Sequence, residues 1–135
     1  MIFETNKDKG RAGMALGVAY FGANGYTVSI PLNDTQWYDF IVEKNGIFQT
    51  VQCKATGSID GSIKLVSSGG TKGSIYDSVN NHELDILFCI NQNKEMFCIP
   101  MKDLKAKGNV NSIKLRNVPN SNNQGFNTYQ YIVTL

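Results

Sequence analysis

Two hydrophobic runs, residues 37–43 and 47–54, flank Lys44-Asn45-Gly46, and no other feature restricts the fold of this chain so tightly. Asn-Gly between such runs favours a two-residue hairpin loop, because both positions accept the positive φ that a turn matched to strand twist demands. That loop pairs Lys44 with Ile47 and, carried back along both strands, sets Asp39 opposite Gln52. Directly opposed residues share a face with Cβ atoms about 4.5–5.5 Å apart, and Lys54 lies on the same face about 7–8 Å away diagonally. Val51 and Cys53 then point to the opposite face, where they can pack on a core. A three-residue loop without a bulge would instead pair Asp39 with Val51 and scatter the polar set, so the expectation depends on register.

The rest of the chain supplies partners for this hairpin. Residues 8–24 carry Met14, Val18 and Phe21 at helical spacing and end on Asn24-Gly25. Gly10, Gly13 and Gly17 lower the helix propensity there by roughly 1 kcal/mol each relative to alanine, which predicts that a sheet packs closely on that face. A strand over 26–30 ends at Pro31, and a polar loop covers 33–36. Residues 55–74 read as too polar for core and as mobile, with a short strand at 63–66. A brief helix over 75–80 precedes a second hairpin, 84–90 and 95–99, joined across Asn91-Gln92-Asn93-Lys94. Residues 101–105 make one helical turn, 117–127 a surface loop and 128–135 a final strand. The sum is one α+β domain over 1–135 with a mainly antiparallel sheet covered by helices.

Composition excludes several classes. With 41% hydrophobic and 18% charged residues the chain is that of a folded protein rather than a disordered tail. No apolar run approaches the roughly 20 residues of a bilayer span, and the polar N-terminus lacks a signal-peptide core, so a cytoplasmic protein is expected. Cys53, Cys89, Cys98 and the lone His82 match no zinc spacing and read as reduced thiols in buried strands and a solvated histidine. A net charge of +2 by itself points to no nucleic-acid partner, although Lys7, Lys9 and Arg11, and later Lys102, Lys105 and Lys107, form two basic clusters.

Asp39, Gln52 and Lys54 are therefore the residues with chemistry to explain. A carboxylate and an amide or backbone carbonyl oxygen are hard ligands suited to Mg²⁺. Beside them an ammonium can orient an attacking water, stabilise the forming hydroxide or offset charge on a phosphate. The same three residues also suit the solvent-facing end of any hairpin, where they form only weak exposed pairs.

A resemblance favours the first alternative. The stretch KGRAGMALGVAYFGANGYTVSIPLNDTQWYDFIVEKNGIFQTVQCKATG, with ELDILFCINQNKEMFCIPMKDL after it, resembles the PD-(D/E)XK endonuclease superfamily, in particular small members similar to group I intron homing endonucleases and Holliday junction resolvases. The similarity spans about residues 7–104, with Asp85 opening the later strand. It implies a restriction-endonuclease-like core, with Asp39, Gln52 and the Cys53 backbone carbonyl as metal ligands and Lys54 as the family's lysine. Gln52 replaces the commoner acidic residue. Met14 falls where relatives often carry a glutamate, which leaves Asp39 as the assigned anionic ligand unless Asp34 or a phosphate assists.

What the resemblance implies is an endonuclease using Mg²⁺ or Mn²⁺ on double-stranded or branched DNA, of homing or junction-resolving type, from a phage or mobile element, and acting as a homo-oligomer, dimer or tetramer. Lys7, Lys9, Arg11, Ser29, Gln36, Tyr76 and His82 are its candidate DNA contacts, with turn or surface roles as the plainer reading of several. The alternative, motivated by Met14 and Gln52, is a catalytically impaired DNA- or protein-binding module that keeps the nuclease fold.

Overall fold

The computed structural model describes residues 3–33, 35–66, 75–76, 84–121 and 125–135. Helix α1 (Asn6–Ala23) starts at a capping box: the Thr5 hydroxyl accepts from the Asp8 amide and the Asp8 carboxylate accepts from the Thr5 amide, each at 3.1 Å. These bonds satisfy two of the donors a helix leaves open at its start. Gly13, Gly17 and Phe21, one turn apart, form the stripe that α1 buries. Built Cβ atoms show why two of these are glycines. At Gly17 one would meet Cys53 Sγ at 3.0 Å, Phe40 Cζ at 3.2 Å and Phe88 Cδ1 at 3.3 Å, whereas at Gly13 it would touch only Ala55 and Cys53 Cβ at 3.7 Å. Gly10 meets nothing within 4 Å, so the close approach expected of three glycines holds for two.

Strand β1 (Thr27–Ser29) is shorter than 26–30, and β2 (Phe40–Lys44) begins three residues later than the hydrophobic run from Trp37 suggests. The turn to β3 (Ile47–Ala55) is the two-residue loop, with Asn45 at φ 54° and Gly46 at φ 81°. Lys44 pairs with Ile47, and the pairing continues step for step to Phe40 and Val51.

After the ribbon strand β4 (Ser62–Lys64), β5 (Ile86–Ile90) returns parallel to β3, and β6 (Met96–Pro100) turns back antiparallel across residues 91–95. Asp85 fixes where the parallel pair starts: its carboxylate accepts from the Thr50 amide at 2.9 Å while its own amide donates to the Thr50 hydroxyl at 3.1 Å. Helix α2 (Met101–Ala106), strand β7 (Ser112–Lys114), a 3-10 turn (Thr128–Tyr131) and β8 (Ile132–Val133) complete the chain. The turn shortens the final strand expected over 128–135. The main sheet has the order β1-β2-β3-β5-β6-β8, and β4 pairs with β7 in a separate antiparallel ribbon.

Both faces of the main sheet are covered. Helix α1 and Phe40, Val42, Val51, Phe88 and Ile90 make one core. Leu87, Cys89, Phe97 and Ile99 on the other face meet Ile63 and Leu65 of the β4 segment, Ile113 and Leu115 of the β7 segment, and Leu104 of α2. The described part of 55–74 is therefore not too polar for core: two of its apolar residues, 6% and 1% exposed, seal the second layer. Burial needs only Ile63 and Leu65 to alternate inward, whatever the composition around them. Of the helix expected over 75–80, Ile75 and Tyr76 lie in a turn and 77–80 are outside the described residues. No helix among the described residues is long and apolar enough to cross a membrane.

Candidate active site

The hairpin register that the sequence predicts is present, but Asp39 is not a ladder partner of Gln52. Beyond Phe40 the Asp39 amide donates to the carbonyl of Val51 at 2.8 Å, although Val51 already faces Phe40. Two residues against one is the arithmetic of a β-bulge, which ends pairing and re-aims a side chain. The Asp39 carboxylate then turns onto the backbone of β3, where Oδ2 accepts from the Cys53 amide at 2.6 Å. Cys53 is the next β3 residue after Val51 to present its amide and carbonyl toward β2. The carboxylate thus replaces a strand carbonyl and satisfies an amide that the ended ladder would leave open.

Gln52 and Lys54 project from the opposite side of β3 to Cys53, with Leu87 and Cys89 beside them on β5. Gln52 Nε2 donates to the Trp37 carbonyl at 3.3 Å, which turns the amide toward the loop that carries Asp39. Lys54 is half-buried, makes no hydrogen bond or ion pair among the described residues, and its charge reaches the Cys89 thiol. One end of β3 therefore gathers a carboxylate, an amide, a backbone carbonyl and an ammonium. The Trp37 carbonyl that holds Gln52 was not visible in the sequence, because a backbone contact across fifteen residues leaves no residue-type signal.

Other candidates are placed less centrally. Met14 is half-buried against the α1 core, so helix one brings hydrophobic contact where a glutamate would bring charge. Lys7, Lys9 and Arg11 ride on α1, on the far face of the sheet from Gln52 and Lys54; Arg11 lies 3.7 Å from Asp8, and the Lys9 stem lies beside Gly57. Ser29 ends β1 opposite Ile41, and Gln36 is exposed in the loop before Asp39. The Tyr76 hydroxyl donates to the Val110 carbonyl at 2.8 Å, and burial pushes it up to about 12, so it serves as a tether. His82 and Asp34 lie outside the described residues.

The three cysteines sit in strands and make no disulfide; Cys89 is buried as expected, whereas Cys53 and Cys98 are partly exposed. Burial, then the nearby Asp39 carboxylate, pushes the Cys53 thiol well above its ordinary range; burial does the same to Cys89 against the opposing pull of Lys54. Burial raises Cys98 to about 11. Thiols so raised stay protonated near neutrality and are poor nucleophiles and poor metal ligands. Among the described residues no group of three or more histidine, cysteine or acidic side chains is placed to hold a metal ion. Any cation at this site would depend on neutral oxygens beside Asp39.

Comparison with known proteins agrees with this architecture. The chain is similar to a solved bacterial homing endonuclease, I-Ssp6803I, at a TM-score of 0.61 and 20% identity, over 95% of this chain and 87% of that one; at such identity the likeness concerns the fold. No curated protein matches the chain in sequence. The family model of PD-(D/E)XK endonucleases matches residues 4–131, from just before the N-cap of α1 to the end of the 3-10 turn, and the chain accordingly belongs to that family.

Proposed function

We propose that this nuclease-family protein hydrolyses DNA phosphodiester bonds with Mg²⁺ or Mn²⁺, cutting duplex DNA in the homing manner as a homo-oligomer, as expected of a gene carried by a phage or other mobile element. One observation carries the reading: the bulge at Asp39 that turns its carboxylate onto the Cys53 backbone, beside Gln52 and Lys54. The donors fit a hard cation, since Asp39 Oδ1, Gln52 Oε1 and the Cys53 carbonyl are all oxygens. When bound, the cation would acidify water and polarise the phosphate.

The chain's own residues do the remainder. The Cys53 amide and the Val51 carbonyl lock the Asp39 loop, so its second oxygen is held in one place. Trp37 fixes which end of the Gln52 amide points outward. Lys54 directs a positive charge at the place where negative charge grows on the phosphate and the attacking oxygen. Two strand cuts require two such sites, and each chain brings one.

A second reading rests on Met14: with a hydrophobic residue on the helix and one carboxylate in the site, the fold would bind DNA without cutting it. Incubation with supercoiled, linear and branched DNA in Mg²⁺ or Mn²⁺ decides between them. Nicking should occur on the duplex and fall by about a hundredfold or more in Lys54→Ala and Asp39→Ala. If no substrate is cut, or Lys54→Ala cuts like wild type, the proposal is lost. Calorimetry with Mg²⁺ and DNA together tests the second reading, which fails if a metal-dependent heat disappears in Asp39→Ala.

A further inference from the structure

The β4–β7 ribbon has two unlike faces. Ile63 and Ile113 pair with each other inward, and the flanking Leu65 and Leu115 are 1% and 4% exposed in the same core. The outer face carries two mixed pairs, Ser62 with Lys114 and Lys64 with Ser112, so lysine and serine alternate along both strands and across them. Lys64, Ser112 and Lys114 are exposed. Arg116, two residues beyond Lys114, continues this side and lines a groove of about 390 Å³ together with Ser112, Lys114, Asn120 and Ser121. Nothing in the fold requires this polar, cationic pattern. The core would be equally well sealed by any outward residues, because only the inward set packs.

The backbone of the ribbon is held to one shape. The Leu115 amide donates to the Gly61 carbonyl at 2.9 Å, and the Leu65 amide donates to the Asn111 carbonyl at 2.8 Å, so pairing extends one residue beyond the strands at each end. Asp60 closes the start by accepting from the Ser62 amide at 3.0 Å and from the Ser58 hydroxyl. Its other oxygen lies 3.9 Å from Lys114 Nζ, in an exposed pair that a nucleic acid can displace.

We propose that this ribbon enters the major groove of duplex DNA, with Ser62, Lys64, Ser112 and Lys114 facing base edges and Arg116 on a flanking phosphate. Three properties support it. A major groove about 12 Å wide admits a two-stranded ribbon. Same-face residues on a strand are spaced by about 6.8 Å, two steps of about 3.4 Å, which matches two base-pair rises. Lysine donates to guanine O6 and N7 and serine hydroxyls donate or accept at any base, so the outer face is a set of base-reading groups charged opposite to DNA. The inference takes duplex DNA as substrate from the proposed function but is independent of the cutting chemistry.

The test is selection of bound duplexes from a random-sequence library in EDTA, followed by equilibrium binding of the selected site. Wild type should enrich one site. Lys64→Ala and Lys114→Ala should each bind it roughly ten- to a hundredfold more weakly and lose preference at one or two neighbouring positions. Ser112→Ala should relax one position with a smaller loss. All three residues are exposed, and urea midpoints matching wild type confirm that the variants fold. Selection in EDTA reads binding without cutting, so complete absence of nicking in Mg²⁺ leaves this inference standing. The inference is overturned if wild type enriches no site, if the ribbon variants keep the site and its affinity, or if they weaken all sequences equally without changing the preferred one.

Discussion

Asp39 has two tasks on its two oxygens. One replaces a missing strand carbonyl for the Cys53 amide at 2.6 Å, and the other is the one the proposed function assigns to the cation. A charged acceptor on a backbone donor makes a bond worth roughly 1.5–3 kcal/mol, so the residue proposed to hold the cation also organises its own loop. The thiols behind it have a separate consequence. Burial raises the Cys98 thiol from its ordinary value of about 9 to about 11, so the folded chain holds its proton more tightly. That stability is present in full below the unfolded value and is lost as pH rises through the folded one. The urea midpoint of wild type should therefore fall between pH 8 and pH 10.5, and Cys98→Ala should show a smaller fall than wild type over the same interval.

At the scale of elements, contact between α1 and the sheet depends on the absence of one methyl group. Gly17→Ala places a carbon 3.0–3.3 Å from the side chains of Cys53, Phe40 and Phe88, which together have to give by a few tenths of an ångström in a packed core, at a cost of about 1–3 kcal/mol. Gly13→Ala meets ordinary contacts at 3.7 Å and gains helix propensity, so it should be neutral or stabilising by up to about 1 kcal/mol. Urea titration of the two variants should give opposite or clearly separated shifts. The ribbon has a stricter requirement. Gly61 sits at φ +74°, and a Cβ there would lie 2.5 Å from the Leu115 carbonyl oxygen. Gly61→Ala should lower stability by about 2 kcal/mol or more, again read from the urea midpoint, through combined backbone strain and loss of the Leu115–Gly61 hydrogen bond.

Across the whole molecule, the large exposed apolar residues are spread over several places: Ile30 and Leu32 follow β1, Ile47 and Phe48 start β3 at the hairpin turn, and Ile59 precedes β4, at 60%, 102%, 66%, 68% and 92% exposed. Apolar residues scattered in this way are ordinary on a folded surface and mark no interface by themselves. The proposed two-strand cutting requires at least two chains. Light scattering on the eluted protein should give a mass twice or four times that of the chain, and a strictly monomeric protein would contradict the proposed double-strand break. At that scale the net charge of +2 misleads, because the cations that matter to the ribbon are arranged on one outer face and averaged away in the total.

The sequence by itself determined the hairpin and its register, since Asn45-Gly46 admits a type of turn that few residues accept and a two-residue loop leaves one way to pair. It also determined that α1 comes close to the sheet, and its residue patterns carried the resemblance to the nuclease family. It did not determine the bulge at Asp39, the docking of Gln52 on the Trp37 carbonyl, or the pairing of β4 with β7 across about fifty residues. Local spacing encodes which side a strand residue points to. Backbone contacts between distant segments depend on what the other layers leave room for, and that is decided only when both faces of the sheet are packed.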